Sequence, residues 1–246
     1  MFRKSALLPA KLLRTYATHV KNYFDLFPKS FPSGGPPKDP FSVNLRQLRR
    51  EYRNLQSEHH PDIVMGSSAF ADSSSPKDNT SANINKAYST LRNPYTRAAY
   101  FIQLHHPEHI DITKDEVAKQ LISKFETESK DYQLDYKELL MTVLEAHEAL
   151  ELALSETDLE MLTQENENLM QETEAKLEEL LSQDPIPWDA VLIESIRMKY
   201  WVNIANGIKD WEPGKPVLLT HWRSFPYVRD VNHSSSIIIY YKMILI

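Results

Sequence analysis

Apolar side chains recur every three or four residues along most of the chain, and prolines fall largely between these stretches. A repeat near 3.6 marks amphipathic helices and leaves little room for strands. Leu45, Leu48, Tyr52 and Leu55 trace one such stripe and predict a helix over about residues 42–59. It stops at His59-His60-Pro61, because proline disfavours helical geometry in the residue before it. Ile84, Ala87, Tyr88 and Leu91 repeat the pattern up to a stop at Asn93-Pro94. Longer helices follow at roughly 114–129, 134–154, 156–183 and 188–211, the last closed by Pro213 and Gly214. Upstream, Tyr23, Phe24, Leu26 and Phe27 predict a short apolar helix over 22–28, and four prolines with two glycines make 29–40 a loop. The expected fold class is all-α, with short connections joining antiparallel neighbours in a helical bundle.

Composition closes off several chemistries. The five glycines never fall in the spacing of a dinucleotide-binding turn or a P-loop. With no cysteine there is no disulfide, thiolate zinc site, thiolate nucleophile or cysteine-ligated cluster. No catalytic constellation emerges, so neither enzymatic activity nor a cofactor is expected. His59, His60, His105, His106 and His109 lack a helical ligand pair with a supporting carboxylate, and read as solvated rather than metal-binding. From Lys114 to Asp184 there are 20 carboxylates against six Lys and Arg, which predicts acidic helix faces unsuited to nucleic acid. No apolar run approaches the roughly 20 residues that span a bilayer, so no membrane span is expected.

The two ends differ from the middle. Residues 1–21 carry Arg3, Lys4, Lys11, Arg14 and Lys21, and the first acid is Asp25. A basic, hydroxyl-rich, amphipathic start of this kind predicts a mitochondrial transit peptide, with Arg14-Thr15-Tyr16 before Ala17 as the processing site. The alternative is a basic end with no targeting role. At the other end, residues 222–246 finish in IIIYYKMILI, a strand-like apolar tail to which no role is assigned.

Arg46, Arg49, Arg50 and Arg53 sit at i, i+3, i+4 and i+7, so all four project from one helix face. His60-Pro61-Asp62 follows that helix directly. Proline holds its φ near −65° and stiffens the corner, while the imidazole and carboxylate supply a donor and an acceptor. A carboxylate so placed can take a bidentate bond from an arginine of another protein. Phe24-x-Leu26-Phe27, Leu48-x-x-x-Tyr52-Arg53, His60-Pro61-Asp62 and Asn85-x-Ala87-Tyr88-x-x-Leu91, with Pro94 and Arg97, together resemble a J-domain, the module that activates Hsp70 chaperones. The resemblance implies a J-domain over 22–104, built as a helical hairpin around an HPD loop. It also implies Hsp70 binding by His60, Pro61, Asp62, Arg46, Arg49, Arg50 and Arg53.

On the helix over 134–154, Leu139, Val143, Ala146 and Leu150 form one narrow core seam. Leu140 and Leu144 lie about 100° from it beside Glu148 and Glu151. They read either as an apolar docking patch with a carboxylate rim or as part of a wide core face. Leu55-Gln56-x-x-His59-His60-Pro61-Asp62, Val143-Leu144-Glu145-x-His147-Glu148, Lys199-Tyr200-Trp201-x-Asn203 and Lys209-Asp210-Trp211-x-Pro213-Gly214-Lys215 extend the resemblance to HscB-type J-proteins, above all those of fungal mitochondria. These serve iron–sulfur cluster biogenesis. The resemblance implies a C-terminal bundle over 113–215 that binds an IscU-type cluster scaffold. Its contacts would be Leu140, Leu144 and Tyr200, with Leu139, Glu145 and Glu148 as neighbours.

The expected function is thus a mitochondrial-matrix co-chaperone, not an enzyme, whose partners are the scaffold and a mitochondrial Hsp70. Ala149 and Leu152 stand where close relatives place polar contact residues. The alternative is a general mitochondrial J-protein that delivers unfolded polypeptides to Hsp70. That role calls for a broad apolar groove, a Gly/Phe-rich segment or a zinc finger, and the sequence has none of these.

Overall fold

Among residues 22–59 and 78–215, which the computed structural model describes, the helical periodicity becomes seven α-helices and no strand occurs. The expected transit peptide over 1–21, His60-Pro61-Asp62 and the tail over 222–246 lie outside these residues. A 3-10 turn at Phe24–Leu26 precedes α1 (Leu45–His59), α2 (Asp78–Arg92) and α3 (Pro94–His105). Then come α4 (Asp115–Glu128), α5 (Lys130–Leu152), a 3-10 turn at Glu156–Leu159, α6 (Glu160–Leu181) and α7 (Trp188–Lys209).

Helices α1 and α2 form the expected hairpin. The rings of Tyr52 and Tyr88 stack with centroids 4.0 Å apart at 13°. The Tyr52 hydroxyl donates to Asn85 Oδ1 at 2.8 Å, and the Gln56 amide donates to the same oxygen at 2.7 Å. Nearer its open end the hairpin is apolar: Leu48, Ala87 and Leu91 close a first core with Phe24, Phe27 and Phe31.

The proline-rich loop is held by two buried carboxylates, which answer backbone donors that a loop would otherwise leave unpaired. Asp39 accepts from the N–H groups of Ser33 and Gly35, both at 2.8 Å. Glu51 accepts from Lys29 N at 2.8 Å, and from the amide and hydroxyl of Ser30 at 3.0 and 2.8 Å. Gly35 has φ +98°, and a Cβ built there would stand 2.5 Å from the Phe24 ring. Gly35→Ala therefore combines a disfavoured backbone with overpacking, and should lower stability by about 2–4 kcal/mol in urea unfolding. A loss under 1 kcal/mol would mean that Phe24 can move aside.

Helix α3 was not expected, because Asn93-Pro94 reads only as a stop. It is also a start: Asn93 Oδ1 accepts from the N–H groups of Tyr95 and Thr96, and Pro94 occupies the first turn, where its missing N–H is harmless. Tyr100 and Leu104 of α3 pack on the first core. Tyr95, Ala98, Ala99, Phe101 and Ile102 enter a second core with α4 to α7.

Arg97 joins the two. Its side chain is 1% exposed and lies 4.7 Å over the Phe41 ring. Nη1 donates to the Leu91 carbonyl at 2.7 Å, and Nη2 pairs with Glu174 of α6. Glu178, one turn on, accepts from the backbone N–H groups of Phe41 and Ser42. Burial draws the Arg97 guanidinium down to about 10 against the opposing pull of Glu174, so it remains a cation at neutral pH.

In the second half, α6 and α7 run antiparallel and pack through polar pins as well as apolar contacts. The Asn166 amide donates to the Trp201 carbonyl at 3.1 Å, and Trp201 Nε1 donates to Thr173 Oγ1 at 3.0 Å. Helix α5 runs alongside α7, tied at its far end by Trp211 Nε1 donating to the Leu150 carbonyl at 3.0 Å.

Candidate functional site

Two surfaces carry the residues expected to bind partners. The first is the outer face of α1. Arg46, Arg49, Arg50 and Arg53 are all exposed, and none is paired with a carboxylate among the described residues. They divide into two pairs. Arg46 and Arg50 line a cleft of about 530 Å³ with Lys29, Asn44, Gln47, Glu51 and Asn54, and Arg49 and Arg53 lie outside it. Glu51 is already occupied by the Lys29–Ser30 backbone, so the cleft presents mainly cationic and amide groups. His60-Pro61-Asp62 is next in sequence after the last residue of α1.

The second surface lies where α5 meets α7. The core seam is as expected: Leu139, Val143, Ala146 and Leu150 are buried. Leu140 packs partly covered against the second core, while Glu145 is exposed and Glu148 half-buried. Leu144 is only 8% exposed, so the two leucines are not equal members of an outward patch. Tyr200 is half-buried on α7, and its hydroxyl lies 2.9 Å from that of Tyr136 on α5. Tyr136 stands one turn before Leu140, and the sequence motifs passed it over. The available signal was Tyr132, Tyr136 and Leu140 at successive i+4 positions. Burial raises the Tyr132 and Tyr136 phenols well above the ordinary value of 10, so both are neutral hydrogen-bonding groups at physiological pH.

Among the histidines whose side chains are described, one departs from expectation. His106 is buried and not solvated: its ring meets Trp188 edge-on at 5.0 Å, and its Nδ1 accepts from Glu108 N–H at 3.1 Å. His105 lies against Phe101 at 4.6 Å between ring centroids. Desolvation lowers the pKa of both histidines. Among the described residues no group of three His, Cys, Asp or Glu could hold a metal ion, and no helix is long and apolar enough to cross a membrane.

Comparison with known proteins covers both surfaces. Residues 135–209 match the family described as the HSCB C-terminal oligomerisation domain. The mitochondrial J-type co-chaperone JAC1 of Saccharomyces cerevisiae is 31% identical over 202 residues, which span 82% of this chain and 95% of that protein. Its namesake in Schizosaccharomyces pombe is 27% identical over 196 residues, 78% of this chain and 75% of the relative. A solved structure of the Saccharomyces cerevisiae Jac1 co-chaperone superposes with a TM-score of 0.54 at 28% identity, covering 81% of this chain and 99% of that one.

Proposed function

The chain belongs to the HscB family of J-type co-chaperones, and from that premise we propose that it acts in mitochondrial iron–sulfur cluster biogenesis. The α5–α7 surface holds an IscU-type scaffold protein in the mitochondrial matrix, and the α1–α2 hairpin stimulates the ATPase of a mitochondrial Hsp70. The observation that carries this reading is coverage: the similarity to a mitochondrial J-type co-chaperone runs through hairpin and bundle alike, across 95% of the relative.

The cluster is cargo. With no cysteine in this chain, thiolate ligation of the cluster falls to the scaffold. The work of this chain is tethering. Once the scaffold is held by the bundle, its encounter with Hsp70 becomes effectively intramolecular, and its local concentration at the chaperone rises without any new contact. The arginine face of α1 attracts and orients the Hsp70. Each exposed ion pair contributes only about 0.2–1 kcal/mol, so the face acts more on encounter than on residence. Asp62 supplies the directional contact, as an acceptor for an arginine of the partner.

Leu140 is the residue to test first, since Leu144 is covered and its loss would confound folding with docking. Leu140→Ser should weaken capture of folded scaffold about five- to thirtyfold while the helical circular dichroism is retained. Undiminished affinity would misplace the docking face. Equal affinity for scaffold and for a denatured polypeptide would favour the general J-protein instead.

A further inference from the structure

We infer that Tyr136 is a positioning residue for partner docking: its hydroxyl holds Tyr200 in the orientation that a folded scaffold protein meets. This rests on the scaffold-binding reading above, and it adds to that reading a residue behind the contact face. Tyr136 is 9% exposed, on the turn of α5 before Leu140. Its hydroxyl oxygen lies 2.9 Å from that of Tyr200, and the two rings meet at 6.4 Å and 61°. A buried neutral phenol needs an acceptor for its proton, and the Tyr200 oxygen is within reach.

The support behind Tyr136 is aromatic. Tyr132 stacks on it with centroids 5.9 Å apart at 13°, and Phe125 of α4 meets Tyr132 edge-on at 5.4 Å. Three rings from α4 and α5 thus stand in series and end on the α7 tyrosine. A ring pinned at its hydroxyl has already lost the rotamer freedom that association would otherwise remove. Releasing one such side chain weakens association about three- to tenfold.

A double-mutant cycle tests this, with the full chain and folded scaffold studied by calorimetry. Tyr136→Phe keeps the ring and deletes the hydroxyl. It should weaken binding about three- to tenfold in the natural background and leave affinity unchanged in a Tyr200→Phe background, because the bond is already gone there. A merely structural role would have the same effect in both backgrounds, and that result overturns the inference. Tyr200→Ala serves as the control for the site. If it weakens binding while Tyr136→Phe does not, the positioning role is wrong and the docking face stands. If Tyr200→Ala leaves affinity unchanged, the docking reading fails and takes the inference with it.

Discussion

Asp62→Ala is expected to return Hsp70 ATP hydrolysis to its basal rate while leaving scaffold affinity as it was. The substitution removes the carboxylate of the His60-Pro61-Asp62 motif and changes no residue of α5 or α7. Truncating one partner of a buried, hydrogen-bonded charge pair typically costs 2–5 kcal/mol, much of it the penalty for the charge left behind on the other protein. That is about 30- to several-thousandfold in the coupling equilibrium, enough to erase stimulation at ordinary protein concentrations. The four arginines of α1 should still draw the two proteins together, so weak encounter persists without productive engagement. Single-turnover hydrolysis, with and without scaffold, is the measurement. Stimulation by the alanine variant matching that of the natural chain would remove Asp62 from the mechanism, and a parallel loss of scaffold affinity would mean that the two surfaces are not separable.

The second large effect is expected at Arg97. Arg97→Ala removes a cation that is 1% exposed, opens a cavity beneath Phe41 and unpairs Glu174 and the Leu91 carbonyl together. Breaking a buried pair from one side commonly destabilises by about 3–5 kcal/mol. For a chain of this size that corresponds to a fall of roughly 6–20 °C in Tm. Lysine should rescue poorly, because a single ammonium cannot reach a carbonyl and a carboxylate in the planar fork geometry that the guanidinium uses. Urea unfolding monitored by circular dichroism gives the loss directly. A change under 1 kcal/mol would show that the apolar contacts of α3 suffice to join the two cores.

Much of this architecture was legible in local pattern, and the failures share a physical cause. The later helices and the seam of Leu139, Val143, Ala146 and Leu150 follow from one-sided periodicity, which sequence displays directly. Helix α3 escaped because PYTRAAYFIQLH is apolar on more than one side, as a helix serving two cores must be. The carboxylates between 114 and 184 read as solvated helix faces, and most are. Glu174 and Glu178 are not: their partners lie 77 and 137 residues away, and no local rule pairs groups across such a separation. At the proposed docking face, Leu144 shows the limit of angular reasoning, since 100° from a seam becomes surface or interior according to how closely the next helix approaches. Tyr136 was passed over for a related reason. Its significance comes from a neighbour on α7, 64 positions along the chain.

Helix α3 also bears on how this molecule could be taken apart. A fragment ending at Arg92 would strip Tyr100 and Leu104 from the phenylalanine cluster and bare its flank. A fragment beginning at residue 113 would leave an open trough where Phe101 and Ile102 had been seated. Any graft of the hairpin onto a foreign body must therefore carry α3 with it, and must supply the host with acids where Glu174 and Glu178 stand. The spacing between the two candidate binding faces is thereby set by packed side chains and not by a tether, so cargo and motor would be presented at one defined separation.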